Sequence, residues 1–90
     1  MKKVIAIDVW KRLDNNGVIR YRCFRVLPDD KYCVQSADFY RLPLEPNTIQ
    51  NMERQFLELL LQQAPDERAK TFASLEEAIA NHDKQFGNPD

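Results

Sequence analysis

The chain has 90 residues, 43% of them hydrophobic and only two of them glycine, a composition that fits a single small domain over 1–90 and excludes low-complexity and intrinsically disordered classes. Its formal net charge of −1 conceals a split: residues 1–41 hold nine Lys or Arg against five Asp, whereas residues 42–90 hold four against nine acidic residues. Asp8 interrupts the opening apolar stretch after four residues and no apolar run reaches membrane-spanning length, so neither a secretory signal nor a membrane span is expected, and the protein reads as cytoplasmic.

A domain of this size buries only about 60–70% of the surface its unfolded chain exposes, so a dimer that hides more apolar area would be a natural supplement. If the basic part forms a sheet and the acidic part helices, the two layers carry opposite sign. Mutual neutralisation is the plain structural account, and a functional basic face is the alternative.

Lys3 to Trp10 is rich in β-branched residues, with Val4, Ile5, Ile7 and Val9, and Asp14-Asn15-Asn16-Gly17 follows it. Asn-Gly is a strong hairpin signal because both central residues of a type I′ turn need positive φ. With Asn16-Gly17 as the turn, Val9 lies opposite Phe24, Ile7 opposite Val26 and Asp8 opposite Arg25. One sheet face then collects Ile5, Ile7, Val9, Phe24, Val26 and Val34.

A second hairpin is expected from Ile19–Leu27 and Tyr32–Tyr40, joined by Pro28-Asp29-Asp30-Lys31. Pairing Leu27 with Cys33 sets Cys23 opposite Ala37 and leaves the two cysteines about 13 Å apart along the sheet. A disulfide needs Cα atoms within about 7 Å, so two reduced thiols acting as small buried hydrophobes are expected. The second face collects Trp10, Tyr21, Cys23, Leu27, Cys33, Ala37 and Phe39, with Asp8 and Arg25 among them. An apolar sheet face of that extent calls for cover. Either the helices cover one face and a partner the other, or the registers slip by one residue.

Leu42-Pro43-Leu44-Glu45-Pro46 cannot continue a central strand, since its two prolines lack the ladder donor. It leads into a helix over 47–63, with Asn47 as cap and Gln50 at the third helical position. Ile49, Met52, Phe56, Leu59 and Leu60 recur at helical spacing, and Leu57 and Leu61 widen the stripe to an arc of about 200°. Such a helix should bury one side on the sheet and another on a second helix or a second chain. Ala64-Pro65-Asp66 ends it, and Lys70–Ala73 is a candidate fourth, edge strand. Ser74-Leu75-Glu76-Glu77 is a capping box opening a helix over 74–86, whose stripe of Leu75, Ala78, Ile79, His82 and Phe86 runs to a Gly87 stop. The expected class is α+β: a three-stranded antiparallel sheet, or four-stranded with that edge piece, packed on one face by two helices in the order β-β-β-α-(β)-α.

Four patterns bear on chemistry. Asp8, in Val4-Ile5-Ala6-Ile7-Asp8-Val9-Trp10 ahead of two antiparallel strands and a helix, resembles the opening of ribonuclease-H-like nucleases. In that family a first-strand aspartate and a first-helix glutamate hold divalent metal for phosphoryl transfer, so the resemblance implies Glu53 or Glu58 as the helical carboxylate. It departs at Lys70–Ala73, which has no Asp or Glu where a further metal-binding carboxylate is expected. The structural alternative makes Asp8 a cross-strand partner of Arg25, worth about 0.2–1 kcal/mol.

Arg20, Arg22 and Arg25 lie among Tyr21, Phe24, Tyr32, Phe39 and Tyr40, a mixture that could neutralise phosphates and stack bases. Strand alternation sets Arg20 and Arg22 on the side of Phe24 and away from Tyr21, however. His82 and Ser36 lack the neighbours of a nucleophilic site, and Ser74 is explained as a cap. One histidine, no CxxC or HxxxH spacing and no Gly-rich loop leave no expected metal, cofactor or catalytic residue.

The function expected from sequence is therefore a non-enzymatic module that binds protein, a second copy of itself included. Tyr21, Cys23, Cys33, Phe39, Leu57 and Leu61 are its candidate partner interface. Nucleic-acid binding through Arg20, Arg22 and Arg25 is the alternative, and a metal-dependent nuclease fragment a remote one.

Overall fold

A computed structural model describes residues 3–87. Three antiparallel strands, β1 (Lys3–Asp14), β2 (Gly17–Leu27) and β3 (Lys31–Arg41), form a sheet in the order β1-β2-β3. Three helices follow: α1 (Pro46–Gln62), the single turn α2 (Pro65–Arg68) and α3 (Leu75–Phe86). The α+β class and the three-stranded antiparallel sheet are as expected.

The first register differs from the expected one by three residues. Ile7 pairs with Cys23, Asp8 with Arg22 and Val9 with Tyr21, and Asp14 meets Gly17, so Asn15 and Asn16 make the turn. Neither has positive φ, which rules out a type I′ turn. Asp14 stabilises the turn instead, its Oδ1 accepting from the Asn16 N–H at 2.7 Å. Gly17 begins β2, where an added Cβ would sit 3.1 Å from Arg41 Nη1, so its missing side chain leaves room for that guanidinium to cross. Leu13 is an extra residue in β1 that shifts the register beside the turn.

A second bulge decides the faces. Arg22 pairs with Ser36 but Cys23 pairs with Val34, leaving Gln35 as an extra residue in β3. Beyond it Cys33 stands opposite Phe24, so the bulge sends Cys33 to the opposite face from Cys23. Ile19, Tyr21, Cys23 and Val34 form one core with Leu75, Ala78 and Ile79 of α3. Phe24, Val26 and Cys33 form the other with Phe56 and Leu60 of α1. The helices thus take opposite faces of the sheet rather than sharing one. Both faces of β2 are covered, which is why Ile19, Tyr21, Phe24 and Val26 are all essentially inaccessible.

The chain passes from one face to the other around the outer edge of β3. In place of a fourth strand over 70–73 there is a single bridge, in which Phe72 and Tyr32 exchange backbone hydrogen bonds of 2.7 and 2.8 Å. Pro46 opens α1 with Glu45 as cap and no side-chain cap bond, so Asn47 is not the cap. In α3 the capping box forms, Ser74 Oγ accepting from the Glu77 N–H at 3.2 Å. Gly87, at φ 66°, closes that helix by donating its N–H to the Asp83 carbonyl.

The Phe24 and Phe56 rings stack in parallel with centroids 5.7 Å apart. Replacing Phe24 with Ala should lower the unfolding free energy by about 3–5 kcal/mol in urea titration. Leu61→Ala, on a side chain 87% exposed, should change it by less than about 0.5 kcal/mol.

Candidate functional site: a paired arginine ladder and the surfaces around it

The densest polar constellation lies between the sheet and α1. Arg20 and Arg22 alternate along β2 and so project to the same face, with Asp8 and Trp10 beside them on β1 and Asp38 and Tyr40 on β3. Arg20 donates through Nε and Nη2 to the two oxygens of Asp8, at 3.0 and 2.9 Å, a bidentate pair. Its Nη1 donates to Glu53 Oε1 of α1 at 2.7 Å, and the same oxygen accepts from Arg22 Nη2 at 2.7 Å. Arg22 donates through Nε to Asp38, and Tyr40 OH lies within reach of both guanidinium groups. Aromatic faces complete the site: Arg22 lies 4.6 Å from the Phe56 ring centre and Arg20 5.1 Å from that of Trp10.

Three carboxylates against two guanidinium groups leave the cluster with a formal charge of −1. Burial works against the charge of Arg22, and its bonds to Glu53 and Asp38 outweigh that, so its pKa is raised. The bonds from Arg22, and then Arg20, hold the Glu53 carboxyl below the usual glutamate range. Arg20 and Arg22 therefore spend their donors inside the protein. Arg25, on the other face, pairs with Asp30 at 2.7 Å and is a surface residue. The three arginines proposed to contact nucleic acid form no continuous free basic strip.

The carboxylates implied by the nuclease resemblance fare similarly. Asp8 and Glu53 do converge, but the Arg20 guanidinium lies between them and occupies the oxygens a cation would need. Glu58 faces Arg54 one turn away on α1. Among the described residues no group of three or more His, Cys, Asp or Glu is placed to hold a metal ion, and these side chains do not fit a two-metal centre. Asp8 also pairs with Arg20 rather than with Arg25, because the register moved.

The expected partner interface divides. Tyr21, Cys23 and Cys33 are at most 1% exposed and belong to the two cores, so they present no surface. Tyr21 OH donates to Asp83 Oδ1 of α3 at 2.7 Å, and its ring meets His82 edge-on. Phe39 on β3 and Leu57 and Leu61 on α1 are exposed. Burial also pushes the thiols up, Cys23 to about 12 and Cys33 to about 11. Both cysteines are free.

An apolar groove of about 490 Å³, unanticipated from sequence, lies at the Asn15–Asn16 end of the sheet, walled by Trp10, Val18, Tyr40, Leu42 and Leu44. The Leu42 N–H donates to the Asn16 carbonyl at 2.9 Å, tying the segment after β3 to the first turn and setting the groove wall. Its only sequence signal was Leu42-Pro43-Leu44, apolar residues in a stretch that could be neither strand nor helix. No protein-family model, characterised protein or solved structure matches this chain. No helix among the described residues is long and apolar enough to cross a membrane.

Two outcomes are expected. Glu53 has a lowered folded-state pKa, so its contribution to stability is present above the ordinary glutamate range and is lost as pH falls through the folded value. The urea midpoint should thus fall below about pH 5, and Glu53→Gln should flatten that acid slope while lowering the midpoint at pH 7. Asp14, also held low by its turn bond, leaves a residual slope. With Ellman's reagent at pH 8, the native protein should show almost no fast thiol reaction, and both thiols should react at once in denaturant.

Proposed function

We propose that the protein is a non-enzymatic cytoplasmic module that acts through protein–protein contact and associates with a second copy of itself. The observation that carries this reading is the apolar groove beside a bare sheet edge. β1 runs for 12 residues without proline or glycine, pairs with β2 on one side, and among the described residues has no strand on the other. Ile5 and Trp10 project from it at 42% and 54% exposure, and Trp10 is also a wall of the groove. A long apolar edge of this kind is a ready template for strand addition, while Lys11, Arg12 and Asp14 along it disfavour indiscriminate pairing.

A second copy laid antiparallel along β1 would extend the sheet to six strands and bring apolar surface from both chains onto the groove. Leu57 and Leu61, on the outer side of α1, offer a further contact region. The nucleic-acid alternative needs unpaired guanidinium groups and ranks behind, because Arg20 and Arg22 are engaged by Asp8, Asp38 and Glu53.

Light scattering after size exclusion should give twice the chain mass at tens of micromolar. Trp10→Ser with Leu42→Ser should weaken the dimer at least tenfold while leaving the circular dichroism unchanged. A strict monomer throughout the micromolar range would overturn the self-association reading.

A further inference from the structure

A cleft of about 860 Å³, sharing no lining residue with the groove, runs between α3 and the chain that crosses the β3 edge. Its volume lies within the range of small-molecule sites, about 300–1,000 Å³. Three cations line it: Arg68 at the end of α2, Lys70 in the crossing segment and Lys84 on α3. Among the described residues no carboxylate does, although the chain holds 14 acidic residues against 13 basic ones. The nearby Asp83 is turned inward to Tyr21 OH.

These cations differ from those of the arginine ladder. Among the described residues Arg68 and Lys84, both exposed, form no salt bridge, and Lys70 places its Nζ 5.5 Å from the Phe72 centroid. The rest of the lining supplies flat apolar surface in Phe72 and Phe86, the latter 64% exposed beside His82. Gln35, the bulge residue, also lines the cleft; it is 7% exposed, its Nε2 donates to the Phe56 carbonyl, and its Oε1 is buried without a partner.

We propose that this cleft binds a small organic polyanion with a planar apolar body, its charges held by Arg68, Lys70 and Lys84 and its plane laid against Phe86 and Phe72. The charge requirement follows from three cations lining one cleft with no carboxylate among its described lining residues. The planar requirement follows from the exposed ring of Phe86 on one wall and the half-buried ring of Phe72 on the other. Side chains rather than a Gly-rich loop supply the anion contacts, in keeping with the placement of Gly17 at the start of β2 and Gly87 at a helix stop. The site is separate from the β1 edge and the Trp10 groove, so it stands whether or not the protein dimerises.

Calorimetric titration of the full chain with ADP, pyrophosphate and adenosine tests the assignment. ADP should bind with an affinity that falls as salt rises, pyrophosphate more weakly and adenosine weakest. Arg68→Gln with Lys84→Gln, at exposed positions where folding is unaffected, should weaken ADP at least tenfold. Phe86→Ala should weaken ADP several-fold and leave pyrophosphate unchanged. The C2 proton of His82, the single histidine, should shift on binding. Absence of binding by both ADP and pyrophosphate at millimolar concentration would overturn the proposal, as would ADP binding that the double variant leaves intact or that adenosine equals.

Discussion

The arrangement depends most on one buried charge. Arg22 sits in the central strand with its side chain 2% exposed, and a guanidinium so placed is tolerable only if every face of it is met. Asp38 meets it from β3, Glu53 from α1, and Phe56 covers its plane. Removing one partner of such a pair costs about 3–5 kcal/mol, because the charge left behind stays buried. The network therefore ties α1, none of whose residues is fully buried, to a definite position on the sheet. An apolar stripe alone could slide along the strands; an oxygen shared between two guanidinium groups cannot.

The same constraint explains the charge split along the chain. Basic β2 and acidic α1 are complementary where they touch, and Glu53 reaching both Arg20 and Arg22 is that complementarity in atomic form. Neutralisation between layers accounts for the basic strand more economically than a surface for phosphates does. Basic surface outside the ladder includes Arg68, Lys70 and Lys84, which line the cleft beside α3.

The other decisive feature is the crossing around β3. Prolines at 43, 46 and 65 shape the connections, and the Tyr32–Phe72 bridge fastens the chain to the edge before α3 begins on the far face. One helix per face leaves neither sheet face open. The apolar surface that suggested a partner thus moves from the faces to the periphery: the β1 edge, the groove by Trp10 and Leu42, and the outer side of α1.

Much of the local structure was legible in the residues themselves. β-branched runs marked the strands, Ser74 and Glu77 marked the start of α3, and Gly87 its end, because each signal acts within a turn or so of the chain. The alternation that separated Arg20 and Arg22 from Tyr21 was legible for the same reason. The registers were not. One extra residue at Leu13 and another at Gln35 invert or shift pairing, and no local preference announces a bulge whose stability comes from the packing of both faces. Nor could the sequence show that Asp8, Asp38 and Glu53, spread over 46 positions, meet at one pair of arginines. Sequence by itself determined the three strands, the two longer helices and their order, since those follow from short-range backbone and side-chain preferences. The tertiary structure alone decided which face each helix covers and which charges are spent, since those depend on long-range pairing and on the cost of leaving a buried charge unmet.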